Sequence, residues 1–231
     1  MGQYDILNTP FQIGPVTIKN RFVVLPLTMG ALSYDAEGGY SENFMKYMEL
    51  RAEGGFGLII PGASVTDHHV DPSSATKPNV NTNLHWQEKA KELVQRVHAK
   101  GAKIFCQITM GMGRNYPYLY GPSENPVWLH PDMKSPAMTL DQIHQKIDDM
   151  IDAAAVAQAC GYDGVEVHAI HWGYLLDEMA MSFYNHRTDA YGGSLENRLR
   201  AAKEILGGIR ERCGCSFPVG MRLGLKSFMK D

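Results

Sequence analysis

The stretch TLDQIHQKIDDMIDAAAVAQACGYDGVEVHA, residues 139–169, decides the fold. Thr139 followed three residues later by Gln142 makes a capping box, in which the two side chains reciprocally satisfy backbone N–H groups at a helix start. Leu140, Ile143, Ile147, Met150 and Ala154 then recur at helical spacing and keep one face apolar. Gly161 supplies the stop. A few residues later Val165 and Val167 alternate with Glu166 and His168, the period of a strand. A long capped helix running at once into a short β-branched strand is half of a parallel βαβ unit.

Working outward, the same unit recurs along the chain. Strands are expected at Val23 to Thr28, Gly57 to Ala63, Lys103 to Thr109, Gly164 to Ala169 and Val219 to Gly224. Helices fall near Ser41 to Glu53, Leu84 to Lys100, Leu140 to Cys160 and Leu195 to Cys213, with Ser194 able to cap the last and Gly54 and Gly101 able to end two others. Every strand-to-helix connection is long and every helix-to-strand connection is short, so one end of the sheet is elaborated and the other plain. Parallel barrels build function from the loops at the carboxyl ends of their strands. An open doubly wound sheet shares that rule, but LPLTMGALSYD (25–35) lacks the glycine-rich turn expected after its first strand. GMGRNY (111–116) is only a partial glycine fingerprint. The proline- and aromatic-rich stretch NYPYLYGPSENPVWLHPDMKSP (115–136) reads either as an ordered surface loop or as one wall of a pocket.

Composition narrows the partners. With 231 residues, a net charge of −3 and interspersed signs, the chain has no basic stripe for nucleic acid and no acidic tail. A small molecule is the default partner. No run approaches the roughly 18 apolar residues of a membrane span, and the start MGQYDILNTPFQIG lacks a signal-peptide layout, so the expected location is cytoplasmic. Four cysteines without a CxxC pair are expected to be reduced structural thiols.

Side chains alternate across a strand, so each run sorts into a face against the helices and a face toward the barrel axis. In the first strand Val23, Leu25 and Leu27 are taken as helix-facing, leaving Pro26 and Thr28 inward. Ile104, Cys106 and Ile108, Val165 and Val167, and Val219, Met221 and Leu223 make the corresponding outer sets. The inward polar residues near the carboxyl ends are then Thr28, Gln107, His168 and Arg222. Buried polar groups need partners, and these four are supplied either by an internal network, with Glu166 pairing Arg222 lower down, or by a polar planar ligand; the set as a whole favours the ligand.

KNRFVVLPLT (19–28), GLIIPGAS (57–64), GYDGVEVHAIHWGYLLDEM (161–179) and above all NHRTDAYGGSLENR (185–198) resemble the old yellow enzyme family of flavin-dependent ene reductases, and most the branch with 2,4-dienoyl-CoA reductase and the bile-acid-inducible oxidoreductases. The resemblance implies a TIM (β/α)8-type barrel with FMN at its mouth and NAD(P)H as electron donor. It implies flavin contacts from Thr28 and the backbone at Pro26, Leu27 and Ala63, with Gln107 at the pyrimidine edge and Arg222 by N1 and O2. A side-chain amide offers both a donor and an acceptor to that edge, and a fixed cation stabilises charge gathering there. His168 and His171 match the pair that grips a substrate carbonyl oxygen, and Tyr174 matches the phenol that protonates the α-carbon of an α,β-unsaturated substrate. No metal is implied.

HAIHWGYL (168–175) is one residue longer than the family's usual spacing, by insertion of Trp172, and QITMGMGR (107–114) is likewise longer, with Met110 where a histidine is common. The sequence stops at RLGLKSFMKD (222–231), directly after the fifth strand. The expectation is therefore a single FMN-binding barrel domain over 1–231 that is C-terminally incomplete, holding the first five βα strands. It would expose two sheet edges, to be covered by a second copy or a complementary chain. A 4Fe–4S cluster and FAD would enter only with a longer parent chain. The alternatives are a non-catalytic barrel fragment or half of a split enzyme and, ranked below them, a metal-dependent barrel hydrolase using His168 and His171.

Overall fold

Strand and helix alternate as the caps and periodicities require. The computed structural model describes residues 2, 4–72, 78–169 and 174–224. An antiparallel hairpin, β1 (Phe11–Ile13) and β2 (Val16–Ile18), precedes five parallel strands: β3 (Val23–Leu27), β4 (Leu58–Pro61), β6 (Lys103–Thr109), β9 (Gly164–His168) and β10 (Val219–Arg222). Their spatial order is β3-β4-β6-β9-β10, with the short β5 (Ser64–Val65) pairing the far end of β6. Among the described residues this is an open sheet, β3 at one edge and β10 at the other. It is the first five-stranded part of a (β/α)8-type barrel.

The helices lie on one face. They are α1 (Glu42–Glu53), α2 (Leu84–His98), α3 (Leu140–Ala159) and α6 (Arg200–Cys213), with the short α4 (Leu175–Ala180) and α5 (Leu195–Arg198) before the last. Ser41, Asn83, Thr139 and Ser194 each accept a backbone N–H at a helix start, and the Thr139–Gln142 capping box forms as expected. Gly161 ends α3 with φ +92°, a conformation open to glycine at little cost. Ile59, Ile104, Cys106, Ile108, Val165 and Val167 join the helices in one buried core. The opposite, concave face carries a smaller cluster, in which Leu58, Ile60 and Phe105 meet Ile18 of the N-terminal hairpin and plug the plain end.

Several expectations change. Val24, not Val23, packs on the helix side, while Val23 joins the concave cluster. A register shift between Val24 and Leu27 complicates the alternation, and Leu25 and Leu27 are 59% and 52% exposed. An all-apolar VVLPL run gives periodicity nothing to sort. The expected last helix is broken at Leu199 into α5 and α6. The loop 115–136 contains a hairpin, β7 (Asn125–Val127) with β8 (His130–Ser135). Leu140, placed on the apolar face, is exposed at the first turn of α3. Cys106, Cys160 and Cys213 are buried and free, and Cys215 is exposed and free. No helix among the described residues is long and apolar enough to cross a membrane.

Candidate active site at the carboxyl ends of the strands

Because the strands are parallel, their last inward residues reach one level. Gln107 pairs in register with Glu166, and His168 with Arg222 on the neighbouring strand. Where the strands end, a cleft of about 1000 Å³ opens. Pro26, Leu27, Thr28, Ala63, Gln107, His168, Tyr174 and Arg222 all line it, so every cofactor-contact residue expected from sequence converges on one cavity, with two of the three expected catalytic residues. The third, His171, lies outside the described residues, as does Trp172.

The geometry of the first wall depends on a glycine. A Cβ at Gly62 would come within 2.9 Å of the Thr28 backbone nitrogen, so only glycine lets the end of β3 pass over the end of β4 and set Thr28 at the cleft. Opposite, Tyr116, Pro117, Tyr118 and Leu119 form the far wall, which is where the proline- and aromatic-rich loop goes. Tyr34, Val65 and Met112 also line the cleft without having been singled out in the sequence; single apolar or aromatic residues in loops, or in a two-residue strand such as β5, carry no periodic signal.

Gln107 is 2% exposed, and its amide nitrogen donates to Glu166 Oε1 at 2.6 Å. The internal-network alternative had Glu166 paired with Arg222; its hydrogen-bond partner here is Gln107. Burial raises the Glu166 carboxyl, against the Gln107 hydrogen bond and the Arg222 charge, which lower it. That bond fixes the amide plane and leaves its oxygen and second amide hydrogen for a ligand edge. The rest of the lining is mainly apolar and aromatic, with Thr28, Thr109 and His168 as further polar groups, and among the described residues Arg222 is its one fixed charge, with no carboxylate in the lining. Planar apolar walls, an amide edge and one cation at strand ends are the donor set a flavin ring requires, so these residues fit the group.

The His168 and Tyr174 rings meet edge to face with centroids 4.3 Å apart. The extra residue in this stretch, Trp172, therefore leaves Tyr174 next to His168. Burial and then the neighbouring Tyr116 push the Tyr174 phenol above its ordinary pKa, so it keeps its proton at neutral pH. The three described side chains that converge as a metal-ligating group are His68, His69 and Asp149, none of which lines the cleft.

A model of the NADH:flavin oxidoreductase / NADH oxidase family matches residues 6–231. A cinnamate reductase of Clostridium sporogenes is 40% identical over 238 aligned residues, covering 99% of this chain and 36% of that protein. An NADPH dehydrogenase of Bacillus velezensis is 37% identical over 89% of this chain and 60% of its own length. Among solved structures, a complex of 2-naphthoyl-CoA reductase superposes with a TM-score of 0.83 at 30% identity, over 96% of this chain and 36% of that one. The old yellow enzyme of Pichia sp. AKU4542 gives 0.79 at 30% identity, over 94% and 58%. The chain thus spans 36% of the cinnamate reductase and 60% of the shorter NADPH dehydrogenase. With a match that runs nearly end to end and strand-end residues gathered at one cleft, the chain belongs to the NADH:flavin oxidoreductase / NADH oxidase family.

Proposed function

We propose that this chain forms the FMN- and substrate-binding unit of an oxidoreductase that reduces an activated C=C bond with NAD(P)H as electron donor. The observation that carries the reading is the His168–Tyr174 ring pair set beside the Gln107 amide and the Arg222 guanidinium in one cleft. A flavin held there would supply the hydride chemistry, with the substrate β-carbon as acceptor. Gln107, oriented by Glu166, holds the pyrimidine edge, and Arg222 stabilises negative charge there. Thr28, with the backbone at Pro26, Leu27 and Ala63, lines the same cleft and would help hold the flavin.

His168 donates to the substrate carbonyl oxygen, together with His171 of the adjoining segment, and draws electron density from the double bond. The Tyr174 phenol then gives its proton to the α-carbon. The relatives' names, cinnamate and 2-naphthoyl-CoA reductase, support a substrate conjugated to an aryl group, for which Tyr116 and Tyr118 offer flat apolar surface. The reading extends to the whole of 1–231 acting as one flavin-binding domain, to cytoplasmic residence, and to a second copy or complementary chain against the sheet edges.

FMN titration of the purified protein tests it. The account expects quenched flavin fluorescence, a saturable complex, bleaching by NAD(P)H and reoxidation by cinnamate, with weaker FMN binding in Arg222→Gln. A protein that takes no FMN, or whose Arg222→Gln and Gln107→Leu forms bind it unchanged, would favour the non-catalytic reading instead.

A further inference from the structure

We propose that His68, His69 and Asp149 form a site for a divalent transition-metal ion of the zinc class, held between the loop after β5 and helix α3 and separate from the cleft. The inference is independent of the flavin reading. His69 Nδ1 lies 3.0 Å and His68 Nδ1 3.6 Å from the same oxygen, Asp149 Oδ1, and the three ligand atoms all fall within 4.8 Å of one another. Bonds of about 2.0–2.1 Å in tetrahedral geometry place zinc ligands about 3.4 Å apart. The two nitrogen-to-carboxylate separations bracket that value and the third lies within 4.8 Å, so an ion is accommodated by adjusting the two imidazole rings.

The donors are also held in place. Asp149 is 2% exposed and comes from the middle of α3, where its Oδ1 also receives the Gln145 amide at 3.4 Å. The His68 backbone N–H points at Asp149 Oδ2 at 3.4 Å, and the His69 backbone N–H donates to Asp67 at 2.9 Å. The Asn81 amide ties the backbone oxygens of Thr66 and Asp149 together at 2.8 and 2.9 Å. The two rings lie 3.8 Å apart, both with Nδ1 toward the carboxylate.

Charge favours a cation here. The nearest ammonium, Lys146, is shared by two other carboxylates, Asp67 at 2.5 Å and Asp71 at 2.8 Å. Among the described residues the ion-pair partners of Asp149 are the two histidines, its further hydrogen bonds come from neutral amides, and burial and then the nearby Asp67 charge raise its carboxyl. The side chains of His68 and His69 are 28% and 45% exposed, which leaves an entry path and room for a water as the fourth ligand. Binding would displace the Nδ1 protons and staple the loop that begins at Thr66 to α3.

Cobalt(II) is the direct probe, added to EDTA-treated protein without a polyhistidine tag. The proposal expects one equivalent to give intense visible bands of a tetrahedral ion, displaced by zinc, with a rise in Tm on zinc addition. His69→Gln, at an exposed side chain that the fold tolerates, should abolish the bands and weaken binding by at least the roughly tenfold to hundredfold that outer-sphere changes already produce. Asp149→Asn should do the same, while His130→Gln, at an exposed position of β8 outside the group, should leave the isotherm unchanged. Pale octahedral spectra in the parent protein, or a His69→Gln isotherm matching it, would overturn the proposal.

Discussion

The two faces of the sheet are built from the same alternating strands and do opposite things. On the helix side Ile104, Cys106, Ile108, Val165 and Val167 vanish into a continuous core with α1, α2, α3 and α6. On the concave side Leu58, Ile60, Phe105 and Ile18 close up, and beyond them toward the carboxyl ends a cleft stays open, lined by loops and carrying the inward polar residues of the strands. One residue step along β6, from Cys106 to Gln107, crosses from one regime to the other. The contrast implies that substitutions on the helix side should cost stability, and those on the concave side should cost ligand.

The strongest test of that division is Lys146, fully buried at the top of α3 with Asp67 and Asp71. Burial raises the Asp67 carboxyl, but the adjacent ammonium outweighs it and holds the group at about 2. Lys146→Met leaves two buried carboxylates without their cation and should cost about 3–5 kcal/mol by urea denaturation. A loss under 1 kcal/mol would show that the cluster is solvated. Next in size, Ile104→Ala should cost about 2–5 kcal/mol and leave FMN affinity of the folded protein unchanged, because the deleted atoms face only the helices. Gln107→Leu should do the reverse, weakening FMN by about 1–3 kcal/mol of lost hydrogen bonding with a smaller change in Tm.

A subtler effect sits where α4 meets the loop after β6. Glu178 is fully buried, accepts the Arg114 backbone N–H at 2.8 Å, and is pushed up to about 8 by burial, against the opposing pull of that bond. Its protonated form is the one the fold favours, so the stability it contributes is present below the unfolded carboxyl range and lost as pH rises toward 8. Melting should therefore occur at lower temperature near pH 8 than near pH 5.5, and Glu178→Gln should remove most of that slope. A slope unchanged in the variant would assign it to other groups.

The helix side was legible because helical and strand periods, capping residues and stop glycines all point the same way there. Thr139, Gln142 and Gly161 act as read. Strand sidedness also came through wherever polar residues mark the inner face, as Gln107, His168 and Arg222 do. It failed in β3, where five apolar residues and a register shift leave no such mark. Lys146 was readable in principle, since it falls one turn from Ile143 and Met150 inside the apolar stripe of α3. The His68–His69–Asp149 group was not, because its members are brought together by a loop whose path no local pattern encodes.

The claim at the centre of this account is that Tyr174, beside His168, is the proton donor to substrate and has no part in flavin reduction. Anaerobic stopped-flow on flavin-loaded Tyr174→Phe separates the two half-reactions. Reduction by NAD(P)H should proceed nearly as in the parent, while reoxidation by cinnamate should slow by about 10²–10⁴-fold. With its raised pKa, the parent's reoxidation rate should stay flat through neutral pH and fall only in the alkaline range beyond the ordinary tyrosine value, and the variant should lose that fall. Equal slowing of both half-reactions, or full-rate reoxidation in the variant, would contradict the claim.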